Sequence, residues 1–209
     1  LRFLSLTSIW AVPSLGINPQ NGKEIYLTPE GEKTYSWKPE YQQIVGNSLE
    51  KVRGNFGFNG EYKGFGLGVV FRYMAGGDYY NQTLVDRVEN ADLRKNVDRR
   101  VLYGRWSEKN KVSPFKSLKP YNDEAGNYIR APKTEPTSRF VQKRNELTLS
   151  SISAYYDMHN RDWMNFAGID RLKFVFNMND VCTISSIKME RGTTYPFAHM
   201  MSLSVIAEF

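Results

Sequence analysis

Between Val52 and Tyr62 apolar and polar residues alternate. Val52, Gly54, Phe56, Phe58, Gly60 and Tyr62 fall on one side, and Arg53, Asn55, Gly57, Asn59 and Glu61 on the other. A period of two marks a strand with one apolar and one polar face. Lys63-Gly64 follows, and the apolar set then moves to Phe65, Leu67, Val69, Phe71 and Tyr73. A two-residue hairpin turn requires that switch of parity. The pattern predicts antiparallel pairing of 51–62 with 65–75. Tyr62 then faces Phe65, Gly60 faces Leu67, Phe58 faces Val69 and Phe56 faces Phe71, apolar against apolar.

The same alternation recurs downstream. Leu172, Phe174, Phe176 and Met178 oppose Arg171, Lys173, Asn177 and Asn179; Met201, Leu203, Val205, Ala207 and Phe209 oppose Ser202, Ser204 and Glu208, with Ile206 the exception. Leu147 and Leu149 are out of phase with Ile152, Ala154 and Tyr156, which predicts a β-bulge near Ser150-Ser151. Six strands are expected in all, at 1–12, 51–62, 65–75, 146–157, 170–180 and 199–209. The polar sets place Asn55, Asn59, Arg72, Lys173 and Asn177 on faces turned to water or to protein.

The connections are uneven. The turn at Lys63-Gly64 is tight and the link 157–170 is moderate, whereas 13–51, 76–145 and 181–198 are long and rich in Asn, Gly, Pro and charge. A connection of that length inside a compact soluble domain counts against the strand assignment. Membrane barrels alternate short periplasmic turns with long extracellular loops in this way. Hydropathy does not object: no apolar run is long enough for a membrane helix, and barrel strands escape such windows. The aromatics Tyr62 and Phe65 at the turn then belong to an interfacial girdle.

Composition narrows the chemistry. Of 209 residues, 14% are aromatic and the net charge is +6. Residues 81–145 carry 15 Lys/Arg against 8 Asp/Glu, a net of +7. No helix-turn-helix, zinc finger or stacking-sheet signature accompanies the basic stretch, so nucleic acid is not an expected partner. Within it Thr83 is the expected cap of a short helix bearing Leu84, Val85 and Val88 on one face. A single cysteine, Cys182, excludes an internal disulfide, and His159 and His199 lack ligand spacing. "NPQNGKE" at 18–24 lacks the carboxylates of a calcium loop and reads as a turn. No nucleophile–base pair, phosphate loop or paired carboxylates are present, so no cofactor, metal or catalysis is expected. The start, "LRFLSLTSIWAVPSLGI", lacks a basic n-region and a small-x-small site and reads as the interior of a longer chain.

Five blocks in order carry a family likeness: "SLGINPQNGKEIYLTPEGEKTYSW", "VGNSLEKVRGNFGFNGEYKGF", "YYNQTLVDRVENADLRKNVDRRVLYGRW", "PTSRFVQKRNELTLSSISAYYD" and "RLKFVFNMNDV…ERGTTYPFAHMMSLSVIAEF". Together they resemble SusC/RagA-type TonB-dependent outer-membrane transporters along essentially the whole chain. The resemblance implies an all-β fold, the C-terminal antiparallel strands of a plugged barrel of about 22 strands with long extracellular loops. Residues 1–209 would then be the C-terminal segment of that barrel, with the plug domain and N-terminal strands supplied by the rest of the protein. It implies a Gram-negative outer membrane, energy passed through TonB, a SusD-like surface lipoprotein as partner, and import of oligosaccharides or peptides. Asn55, Asn59, Arg72, Lys173 and Asn177 would face the lumen. Tyr79, Tyr80, Asn81, Arg99, Arg100 and Trp106 would be loop contacts for partner or substrate, and Phe209 would end the assembly signal "SVIAEF". The competing class is a soluble β-rich glycan-binding module. In that class the faces bearing Phe56, Phe71, Phe174 and Leu203 would pack against a second sheet.

Overall fold

A computed structural model describes residues 5–122, 126, 128–129, 133–159, 161–166, 168–188 and 199–209. Its strands are β1 Ser8–Ala11, β2 Ser14–Ile17, β3 Glu24–Leu27, β4 Lys33–Thr34, β5 Gln43–Asn47, β6 Val52–Tyr62, β7 Phe65–Tyr80, β8 Tyr121–Asn122, β9 Tyr128–Ile129, β10 Val141–His159, β11 Arg171–Ser185 and β12 Met200–Glu208. Short helices lie at Gln82–Leu84 (α1), Arg100–Tyr103 (α2) and Asp162–Phe166 (α3). The chain divides into two compact units. One holds 5–49 and Gly77–Lys143; the other holds Glu50–Gly76, Arg144–Lys188 and 199–209.

The second unit is an antiparallel sheet in the order β12-β11-β10-β7-β6. The β6–β7 hairpin has the expected register, with Tyr62 opposite Phe65, Phe58 opposite Val69 and Phe56 opposite Phe71. The Phe56 and Phe71 rings stack across it, centroids 5.0 Å apart. Lys63 and Gly64 both take positive φ, 51° and 83°, as the tight turn demands. The register of β10 against β11 shifts between Leu149 and Ser151, where the bulge is expected. The extra residue is on the facing strand, not on β10: Leu149 pairs with Cys182, and Ser151 with Asn179. Asp180, at φ 49°, absorbs it.

β7, β10 and β11 run past their expected limits, chiefly at the ends that join long connections; β10 also extends by two residues to His159. The Gly76-Gly77 pair looks like a strand terminator. Instead Gly76 keeps the strand going at φ 84°, its N–H donating to Asn145 Oδ1 at 2.9 Å.

The expected first strand is the main correction. Residues 1–4 of it, like the loop residues 189–198, lie outside the described residues. What is described is only β1, which pairs with β5 in a separate two-stranded sheet and takes no part in the large one. Pro13, which lacks a ladder donor, follows after Val12.

The first unit contains that pair and the small sheet β2-β3-β4. Its apolar core joins Val85, Val88, Val101, Phe115 and Phe140, with Tyr80 and Leu84 packed on it. Val85 and Val88 are thus buried as their spacing predicts. The helix cap is Asn81, not Thr83: its side chain accepts from the Leu84 N–H at 3.0 Å. An Asn there satisfies an orphan donor of the first turn.

Candidate functional site

The large sheet has two unlike faces. One carries Phe56, Phe58, Tyr62, Phe65, Leu67, Phe71, Ala154, Tyr156, Phe174, Phe176, Leu203 and Val205, aligned strand to strand. These residues are turned outward: Phe58 is 59% exposed, Tyr62 72% and Leu203 72%. Nothing among the described residues packs over them as a second sheet would.

The other face is polar and brings the five candidate residues onto one surface. Asn55 lies opposite Arg72, and Asn59 opposite Gly68. Asn177 sits between Ser153 and Ser202, and accepts from Ser153 Oγ at 2.7 Å. Lys173 lies between Asp157 and Ile206, its ammonium 4.1 Å from the centre of the Tyr155 ring. The Tyr155 hydroxyl donates to Glu61 at 2.5 Å. The ring crosses Gly66, where a Cβ would overlap it. A groove of about 320 Å³ results, bordered by Asn59, Glu61, Gly68, Ser153 and Tyr155. At the end near the tight turn, Arg171 binds Asp157 at 2.6 Å and Glu208 at 3.1 Å. His159 adds a 3.3 Å contact to Asp157. Sequence reasoning names none of Glu61, Ser153, Tyr155, Asp157 and Arg171 as site residues. The available signal is the glycine pair at 66 and 68, which leaves room for a large residue on the neighbouring strand.

Gly66→Ala is expected to displace the Tyr155 ring and break its bond to Glu61. A loss of about 1–3 kcal/mol follows from overpacking, read as a lower midpoint for thermal loss of β-structure. Gly60→Ala, with open space at its Cβ, is the control.

The loop candidates divide. Asn81 is buried; besides capping α1 it donates to Gln142 Oε1 at 3.2 Å. Tyr80 meets Phe140 edge-on, with ring centroids 6.4 Å apart. Trp106 is buried against Gly22, and its indole N–H donates to the Pro19 carbonyl at 2.9 Å. These three hold the first unit together. Arg99 is exposed, 5.4 Å from the Tyr103 ring centre; Arg100 pairs with Asp98 at 2.8 Å; Tyr79 is half-buried.

The first unit also buries a charge cluster that no sequence motif announces. Arg139 contacts Glu24 at 2.8 and 3.1 Å and Glu89 at 2.5 Å. Thr134 donates to the same Glu89 oxygen at 2.9 Å. Burial pushes the Arg139 guanidinium down, but the hydrogen bonds and charges of Glu24 and Glu89 outweigh it and hold it above its ordinary value. Arg105 donates to the carbonyls of Lys116, Glu89 and Val88, and burial pushes it down. Burial also pushes the neighbouring Lys116 down to about 8, against the pull of Glu89 and Glu24.

Lys116 therefore sheds its proton in the folded protein before it does so in the unfolded chain. Between pH 8 and the ordinary lysine value of 10.5 the unfolded state binds more protons, so stability rises with pH. Over that window the first unit is expected to gain about 3 kcal/mol. Hydrogen exchange of its amides at matched intrinsic rates, with and without Lys116→Met, checks this; the variant should lose the rise.

No protein-family model and no curated protein matches the sequence. Solved structures do. The RagAB peptide importer in its open-open state superposes with a TM-score of 0.68 at 17% identity, over 86% of this chain and 19% of that chain. This chain folds like a segment of the RagAB transporter. A second RagAB peptide transporter structure gives 0.67 at 18%, and the closed-closed importer 0.65 at 19%. The chain spans about a fifth of the length of these RagAB chains, 19–20%. At such identities the likeness establishes fold. The SusC/RagA resemblance thus holds at the level of fold: an all-β, antiparallel chain.

Proposed function

We propose that this chain forms part of the wall of an outer-membrane importer. The observation that carries the reading is the exposed apolar face, continuous over β6, β7, β10, β11 and β12 and backed by a polar one. Barrel strands place apolar residues to lipid and polar residues to the lumen in this alternation. Asn55, Asn59, Arg72, Lys173 and Asn177 then face the lumen or a plug. Residues 1–209 make up the C-terminal barrel segment, and other parts of the protein close the barrel to about 22 strands, supply the plug and engage TonB. A surface lipoprotein of SusD type is the partner, met by loop residues such as Tyr79, Arg99 and Arg100. The similar RagAB structures are of a peptide importer, which favours a peptide over an oligosaccharide as cargo. A soluble glycan-binding module is disfavoured, because it would bury Phe58 and Leu203. No helix among the described residues is long and apolar enough to cross a membrane; strands cross differently.

The test uses neighbouring cysteines in a Cys182→Ser background. In outer membranes, Phe58→Cys should react with a lipid-phase thiol probe, and Asn59→Cys with an aqueous one. The reverse pattern, or equal aqueous labelling of both, refutes the reading. Phe209 lies at the same end of the sheet as Lys63-Gly64: Glu208 pairs with Arg171, and the Asp157 N–H donates to the Gly64 carbonyl at 2.7 Å. As the assembly signal it should govern amount and not transport. Phe209→Ala is expected to lower the protein in the outer membrane several-fold while inserted molecules transport normally. Normal levels with transport abolished would contradict that role.

A further inference from the structure

A cavity of about 180 Å³ opens within the first unit, bordered by Lys23, Glu24, Tyr35, Trp106, Lys116 and Ser117. That is room for about six water volumes, or for a ligand the size of one amino-acid residue. Its walls are built. Trp106 is fixed by the Pro19 carbonyl and seated on Gly22, whose φ of 70° a side chain would strain. Tyr35 is held through its hydroxyl, which accepts from Asn18 Nδ2 at 2.7 Å.

Lys116 is the unusual wall. It is only 6% exposed, yet its ammonium makes no hydrogen bond or ion pair among the described residues. Among the described residues, its immediate neighbours leave positive charge in excess. Arg139 and Arg105 stand with it against Glu24 and Glu89, three cations to two carboxylates, and Arg139 already occupies both carboxylates. Lys23 adds a cation at the cavity, donating to the Asn122 carbonyl at 3.2 Å; Lys119, also at the cavity, is paired with Glu108 at 2.7 Å. A largely buried ammonium with no hydrogen-bonded partner is costly, and an anion bound in the cavity that it borders lowers that cost.

We propose that this cavity binds a small carboxylate, with Lys116 as its counter-ion and Trp106 and Tyr35 holding the body of the ligand. A carboxylate suits the site better than a phosphate, because one unmatched ammonium balances one negative charge. The flat aromatic walls suit an amide or a sugar ring equally. The carboxylate therefore comes either from a peptide end or from a sugar acid. The site lies wholly within the first unit and stands whether or not the chain belongs to an importer.

The experiment titrates the full detergent-solubilised chain and follows the Trp106 indole N–H resonance, assigned by its loss in Trp106→Phe. N-acetylglycine represents the peptide end and glucuronate the sugar acid; N-acetylglycinamide and glucose are their neutral counterparts. A saturable shift with either acid and not with its neutral counterpart supports the site and identifies the source. Lys116→Met should weaken acid binding at least ~10-fold, the factor of an ordinary charge-assisted contact, while the resonance keeps its unliganded position. In the unsubstituted protein acid binding should weaken as pH rises from about 7 to about 10, since the protonated amine is the binding form. That arm decides the matter should Lys116→Met fail to fold. Equal shifts with acid and amide, no saturation by about 10 mM, acid binding that ignores pH, or full binding by Lys116→Met would each overturn the assignment.

Discussion

Arg139→Met is expected to cost the first unit about 3–5 kcal/mol, the range for removing one partner of a buried ion pair. Glu24 and Glu89 have side chains exposed by 1% and 0%, and Arg139 by 11%, so the guanidinium is their buried counter-ion. Glu89 Oε2 already has no hydrogen-bond partner among the described residues, and without the guanidinium both carboxylates lose their direct ion pair, leaving only the charges of Lys116 and Arg105 at a distance. The guanidinium also lies 4.4 Å from the centre of the Phe140 ring, so methionine retains the packing and isolates the loss of charge. Hydrogen exchange should report the loss as faster opening of residues 85–89 and 133–140, with the β6–β7 hairpin unchanged. Adding Glu24→Gln and Glu89→Gln to Arg139→Met should restore part of the protection, because neutral amides are cheaper to bury than unpaired carboxylates. Unaltered exchange in Arg139→Met would mean that the cluster contributes little to stability.

The cluster also marks where sequence reading stops. Glu24 and Arg139 are separated by 115 residues, and Glu89 and Arg139 by 50. Each sits in a stretch whose composition is that of a solvated loop, and nothing local distinguishes a buried acid from an exposed one. The β6–β7 hairpin is the opposite case. Its register follows from a parity switch across two residues, and a slip by one would turn Phe56 and Phe58 to the polar face. The phase change in β10 likewise locates the bulge to within a residue. Which strand holds the extra residue depends on Asp180 adopting a left-handed backbone, which alternation does not encode. The first strand fails for a related reason. The four residues of β1, Ser8 followed by three apolar ones, look alike whether they pair with a neighbour in the large sheet or with Gln43–Asn47. On the polar face, the candidate residues are legible from alternation, whereas the Tyr155 bridge is not. It depends on which strand lies next to Gly66, a fact of topology.

Phe176 and Asn177 are adjacent on β11, yet an arginine at each should have opposite consequences. Phe176 lines up with Ala154 and Leu203 on the apolar face; Asn177 lines up with Ser153 and Ser202 on the polar one. Phe176 is about six residues from the Asp170 end of the strand, or about 20 Å along it. With a strand tilt of about 45° that corresponds to a depth of about 14 Å, close to the centre of a hydrocarbon layer about 30 Å thick. A lipid-facing arginine at that depth costs about 2–4 kcal/mol. Phe176→Arg should therefore lower the amount of folded, heat-modifiable protein in the outer membrane severalfold. Asn177→Arg puts the same charge one residue along, on a face already holding Lys173, Asp157 and Ser153. It should insert at the normal level, and any change should appear in uptake of cargo. A soluble module would respond differently: Phe176 would pack against a second sheet there, so Phe176→Arg would impair folding in water, and neither variant would be found in the outer membrane. Equal membrane levels for the two variants, or a defect confined to Asn177→Arg, would refute the assignment of the apolar face to lipid.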